Sequence, residues 1–165
     1  MRLNKNSSRE QILKYLENHS YFFLSDFSDK PWAQPYIGEA AKIAAKENPV
    51  GFLNNFSDKT WAQPYIDKAA KEFAKENPIF FLLRYSDKPW AQPYIDEAAK
   101  IYFKKAPYGF LFDLSDKSWS QPYIDDAISE AAKLDPEYFL KHLANKYPQG
   151  INLALFALGD KNVSF

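Results

Sequence analysis

Tryptophan recurs every 29 residues, at Trp32, Trp61, Trp90 and Trp119, and the residues around it recur in step. The copies begin at Phe27, Phe56, Tyr85 and Leu114 and read approximately F-S-D-K-x-W-A-Q-P-Y-I-D-x-A-A-K-x-x-A-K-E-N-P-x-x-F-L-x-x. Self-similarity at a fixed period of this length marks small units that cannot bury their apolar faces alone and must stack on their neighbours. A chain built this way has local cores in place of one central core.

Each unit carries two proline signals for a helix start. Asn48-Pro49, Asn77-Pro78 and Asp135-Pro136 place an N-cap side chain ahead of a proline at the first helical position. A short helix follows over about 49–56, with Phe52, Leu53 and Phe56 on one face, and Ser57-Asp58-Lys59 ends it. Gln34-Pro35 and its copies at Gln63, Gln92 and Gln121 open a longer helix, because the proline is pre-set for the first turn and pushes its predecessor out of the α region. It runs to about Lys46, with Tyr36, Ile37, Ala40, Ala41 and Ala44 forming the i, i+3, i+4, i+7 stripe of a buried face. The small alanines allow close approach of helix axes.

The expected architecture is all-α, a right-handed α-solenoid of four αα-hairpin repeats in one domain spanning 1–165. The repeats occupy 27–55, 56–84, 85–113 and 114–142, flanked by an N-terminal half-repeat cap over 1–26 and a degenerate repeat over 143–165. In the cap, His19-Ser20 stands where Asn-Pro stands in a repeat, and Ser7 or Ser8 with Glu10 or Gln11 supplies capping-box material. In the degenerate copy, Leu143–Gly150 aligns with F-S-D-K-x-W. The segment Ile151–Leu158 is apolar nearly all round, as expected of a helix covered on both sides, by more chain or by a partner.

Composition narrows the function. Lys plus Arg and Asp plus Glu each number 21 among 165 residues, so net charge supplies no long-range pull onto phosphates or an anionic membrane. With no cysteine there is neither disulfide nor thiolate chemistry, and no stretch is long and apolar enough to span a bilayer. A cytoplasmic protein is the expectation. Two histidines near opposite ends, no metal-ligand spacing and no glycine-rich phosphate loop predict no enzyme activity, no catalytic residues, no metal and no cofactor.

Thirteen positions are identical in all four units, among them Trp32, Gln34, Tyr36, Ile37, Phe52 and Leu53 with their equivalents. Repetition of that kind assigns the apolar ones to the core. Asp29 is expected to cap backbone N–H groups at the helix junction and Gln34 to bond between repeats. Specificity belongs to the positions that vary. On the short helix, positions 51 and 54 lie opposite the inward face, and their equivalents become Phe80 and Leu83, Gly109 and Phe112, then Tyr138 and Lys141. Phe80, Leu83, Tyr108, Phe112 and Tyr138, rimmed by Arg84, Asp113 and Lys141, are the candidate partner-binding residues, a groove for a helix or an extended peptide. Burial of the short helix on both faces is the competing reading. Position 51 alternates Gly51, Phe80, Gly109, Tyr138, which suggests that a gap in one unit receives a ring from the next.

The unit Trp32-Ala-Gln-Pro-Tyr36, the alanines at the crossing and the boundary proline resemble tetratricopeptide and HEAT-like helical repeats as a class. The unit departs from the tetratricopeptide pattern in being shorter than about 34 residues and in carrying a proline between Trp and Tyr. The resemblance implies a scaffold that binds a protein or peptide partner, within a larger protein or assembly. Two alternatives stand beside it: nucleic-acid binding along Lys30, Lys59, Lys88 and Lys117, which neutral charge disfavours, and a structural spacer that self-associates through its apolar C-terminal end.

Overall fold

The computed structural model describes residues 3–162. Ten α-helices lie along them: α1 Arg9–Phe27, α2 Gln34–Glu47, α3 Pro49–Phe56, α4 Gln63–Glu76, α5 Pro78–Tyr85, α6 Gln92–Lys105, α7 Pro107–Asp113, α8 Ile124–Leu134, α9 Pro136–His142 and α10 Ile151–Asn162. No strand occurs among the described residues, and no helix there is long and apolar enough to cross a membrane.

Local structure follows the repeat. A 3₁₀ turn at Pro31–Ala33, Thr60–Ala62 and Pro89–Ala91 leads each time into a long helix, and each short helix begins at its proline. The Trp segment is thus a separate turn that runs directly into the long helix. Asn48 caps α3 by accepting the Gly51 N–H at 2.8 Å, and Asp135 caps α9 by accepting that of Tyr138 at 3.0 Å. In the fourth copy Ser120 replaces alanine, is fully buried, and donates to the carbonyls of Leu114 and Lys117 at 2.6 and 2.7 Å. There the 3₁₀ segment extends over Ser118–Tyr123 and the α-helix starts only at Ile124.

The chain divides into two units. The first comprises the described residues of Met1–Glu76 with Pro89–Ala91. Within it α1 packs on α2, α3 packs on α2 and α4, and α2 packs on α4. Ser8 and Gln11 close the capping box at the start of α1, and His19 interrupts that helix with non-helical angles (φ −139°, ψ 28°), where Asn-Pro would stand in a repeat. The alanine face is dry: Ala40, Ala41, Ala44 and Ala45 are buried, and a Cβ on Gly38 would come within 3.0 Å of the Tyr65 hydroxyl.

The second unit comprises Asn77–Lys88 and the described residues of Gln92–Phe165. Here α5 packs on α6, α6 on α7 and α8, α8 on α7 and α9, and α10 on both α8 and α9. Phe81, Phe110 and Phe139 are fully buried at equivalent positions, as Phe23 and Phe52 are in the first unit. The last 3₁₀ turn, Pro148–Gly150, corrects the alignment of the degenerate copy. Gly150 takes the buried position of Ala33, Ala62, Ala91 and Ser120, one residue later than the 29-residue period requires. The ring of Phe139 and Cγ2 of Ile128 fill the space a Cβ there would need. Side-chain bulk at this crossing therefore sets the register.

Candidate interaction surface

The short helices of the second unit bury one face only. Phe81, Leu82 and Tyr85 point into the core from α5, whereas Phe80 and Leu83 are 63% and 51% exposed. On α7, Phe110 and Leu111 are buried and Phe112 is 54% exposed; on α9, Phe139 is buried and Tyr138 is 40% exposed. Isolated exposed apolar residues are ordinary; here large ones recur at equivalent positions, Leu83 with Phe112 and Phe80 with Tyr138.

Beside Leu83 lies a groove of about 450 Å³ lined also by Arg84, Asp87, Lys117 and Trp119. Arg84 is exposed and has no hydrogen-bond or ion-pair partner among the described residues. Lys117 and Asp116 are 4.0 Å apart, and Lys88 and Asp87 3.9 Å, both pairs well exposed and so weakly held. Trp119 Nε1 is the only buried side-chain polar atom without an acceptor among the described residues. The groove thus brings together an apolar wall, an unpaired guanidinium and the Asp87 carboxylate.

Two of the candidate residues have internal duties. Tyr108 is partly buried, and its hydroxyl donates to the carbonyls of Ala131, at 2.8 Å, and Asp135, tying α7 to the α8–α9 junction. Desolvation and the Asp135 carboxylate push its pKa up to about 12. Its ring meets Tyr138 edge-on at 4.9 Å, and Tyr138 lies 4.3 Å from His142. Asp113 is exposed but accepts from the buried Tyr102 hydroxyl at 2.9 Å; burial first, and then this bond to the carboxylate, raise the Tyr102 pKa far above its ordinary value. Lys141 is exposed, at the rim. Phe80, Leu83, Phe112, Tyr138, Arg84 and Lys141 are therefore available, whereas Tyr108 and Asp113 build the frame.

Several sequence expectations are corrected. Gln34 does not bond between repeats: its Nε2 donates to the Ser28 carbonyl of the same unit at 2.8 Å, as Gln63, Gln92 and Gln121 do to Ser57, Ser86 and Ser115. The loop carbonyl six residues back is simply nearer. Asp29 makes no cap, because the preceding turn opens on Lys30; its carboxylate lies 3.1 Å from the Lys30 ammonium. The gap at Gly109 is filled by Tyr102 of its own unit, whose hydroxyl would stand 2.6 Å from an added Cβ, and the gap at Gly51 by its own cap Asn48. The tryptophans are partly buried, with Trp32 packed 5.1 Å from Phe27 and edge-on to Phe23 at 6.1 Å. On α10, Leu153, Leu155 and Phe156 are 40%, 53% and 70% exposed.

Sequence reasoning missed the groove beside α5, since it forms only where the Lys117–Trp119 turn comes alongside Leu83 and Arg84. Comparison with family models, with curated proteins and with solved structures returns no match. Function must therefore be argued from the surface itself.

Proposed function

We infer that the chain is a non-catalytic scaffold that binds a protein partner through an amphipathic peptide or helix. Its frame is taken to be a right-handed α-solenoid in which the 29-residue copies stack in series. The packing of α2 on α4, of α6 on α8 and of α8 on α10 supports that frame, because the same long-helix step recurs within each unit. The observation that carries the function is the exposure of Phe80, Leu83, Phe112 and Tyr138 on helices whose neighbouring residues are fully buried. Such anchors serve a partner's apolar face, and Arg84 selects an acidic residue beside it.

A peptide selected from a random library against the immobilised protein should be apolar on one face and lose binding on Leu83→Lys combined with Phe112→Lys, with the thermal midpoint nearly unchanged. Binders that survive the double substitution would move the site elsewhere. Nucleic-acid binding fits less well, because Lys30, Lys59, Lys88 and Lys117 each lie 3.1 to 4.0 Å from an aspartate and their field is locally cancelled.

A further inference from the structure

The lysine that ends each Ser-Asp-Lys turn takes one of two acceptors. In the four regular copies it lies beside the aspartate before it: Lys30 is 3.1 Å from Asp29, Lys59 3.3 Å from Asp58, Lys88 3.9 Å from Asp87 and Lys117 4.0 Å from Asp116. The fifth lysine, Lys146, follows Asn145 and has no such carboxylate. Its ammonium instead crosses to the preceding copy and donates to the Ser115 hydroxyl at 3.0 Å. Lys117 and Lys146 leave the chain from the same kind of turn, their backbone N–H groups donating to the Leu114 and Leu143 carbonyls at 3.0 Å each.

The groove beside Leu83 is where this choice matters. Ser86 stands to Lys117 as Ser115 stands to Lys146, and both Ser86 and Lys117 line the groove. The carbonyls of the two serines are held alike, by Gln92 at 2.8 Å and by Gln121 at 3.0 Å, and the Ser86 hydroxyl has no hydrogen-bond partner among the described residues. A lysine that crossed to Ser86 would lay its apolar stem over the groove with its charged head at the rim.

Two other differences accompany Asn145. Asp113 stands where Arg84 stands, and Tyr147, whose hydroxyl donates to the Leu111 carbonyl at 3.3 Å, stands where Ser118 stands. The first does not decide the matter. At the Lys59 step, inside the first unit, that position is Asp26, yet Lys59 stays with Asp58 and makes no bond to Ser28.

We propose that Asp116 keeps the groove open by holding Lys117 on its own turn, and that without this carboxylate Lys117 straps across to Ser86 and covers the apolar wall. A carboxylate attracts an ammonium more strongly than a neutral hydroxyl does, so the aspartate prevails wherever it is present. The importance of the strap for binding rests on the function inferred above; the strap itself does not.

The chain has no cysteine, so Leu83→Cys places a single thiol on the groove wall. Its alkylation by iodoacetamide should slow several-fold when Asp116→Asn is added, and recover when Lys117→Ala is added as well. In proteins that keep Leu83, a peptide selected against the wild type should lose affinity several-fold in Asp116→Asn and regain it on adding Lys117→Ala. Unchanged alkylation in Asp116→Asn overturns the proposal and assigns the crossing of Lys146 to Tyr147. Slowed alkylation that Lys117→Ala does not relieve also overturns it, because the lysine is then not the strap. Alkylation that slows and recovers as expected while peptide affinity stays constant upholds the strap and refutes the groove as the binding site.

Discussion

Gly109 and Tyr102 offer a sharp test of the packing inside the second unit. Gly109 lies within α7, where replacing glycine by alanine ordinarily stabilises a helix by about 1 kcal/mol. Here the added Cβ would stand 2.6 Å from the Tyr102 hydroxyl, well inside contact, while the next ring atoms lie at 3.4 and 3.6 Å. The hydroxyl is held by Asp113 at 2.9 Å and the ring is buried, so it has little room to withdraw. Gly109→Ala alone should therefore destabilise by about 1–2 kcal/mol, the usual cost of overpacking. Tyr102→Phe alone should cost about 1 kcal/mol, since it removes one hydrogen bond whose acceptor is exposed. With the hydroxyl gone, the added methyl meets only ordinary contacts. Gly109→Ala in the Tyr102→Phe background should then stabilise by about 0.5–1 kcal/mol, giving a coupling of at least about 1 kcal/mol between the two sites. Urea unfolding of the four proteins, followed by far-ultraviolet circular dichroism at 222 nm, measures it. If Gly109→Ala has the same effect in both backgrounds to within about 0.5 kcal/mol, the hydroxyl does not occupy the gap and the account of this helix pair is wrong.

Phe52→Ala should cost about 3–5 kcal/mol, because its side chain is fully buried, whereas Trp61→Ala, at a partly exposed ring, should cost less, about 2–3 kcal/mol; chemical denaturation that reverses this order would return the tryptophan to the centre of the core. Removing the recurrent loop bond with Gln63→Ala should cost about 1 kcal/mol, and a much larger loss would mean that Gln63 bridges units after all. Tyr108 has a folded pKa raised to about 12 against an ordinary value of about 10, so its contribution is complete below about pH 10 and is lost as pH rises through 12. Stability measured across that window should fall less steeply for Tyr108→Phe than for the wild type, and equal slopes would contradict the buried hydroxyl.

Helix type and most boundaries were legible in the sequence because the deciding chemistry is local. Proline after Asn48 or Asp135 opens a helix whatever lies around it, and the 3.6-residue period of Ile37, Ala40, Ala41 and Ala44 names the buried face without reference to other helices. The outward phase of Phe80, Leu83, Phe112 and Tyr138 was legible for the same reason. What failed depends on distances between segments. Nothing in the string places the Ser28 carbonyl within reach of Gln34, or the Tyr102 hydroxyl over Gly109. The register of α10 is decided by Phe139 and Ile128 closing on Gly150, a matter of bulk at a crossing, and a fixed period could not foresee it. The groove was half visible: Leu83 and Arg84 were picked out by phase, but their neighbours Lys117 and Trp119 belong to a turn more than thirty residues later.

The most direct measurement of the central claim is a two-dimensional amide NMR titration of the protein with a peptide selected against it. The account predicts that shifts concentrate on the backbone of α5, of α7 and of the Lys117–Trp119 turn, with the indole N–H of Trp119 among the signals most changed. Shifts confined instead to the lysines of the repeated Ser-Asp-Lys turns, or to the outward charged stripes of α2, α4 and α6, would show that the exposed aromatic side chains of the short helices are not the binding surface.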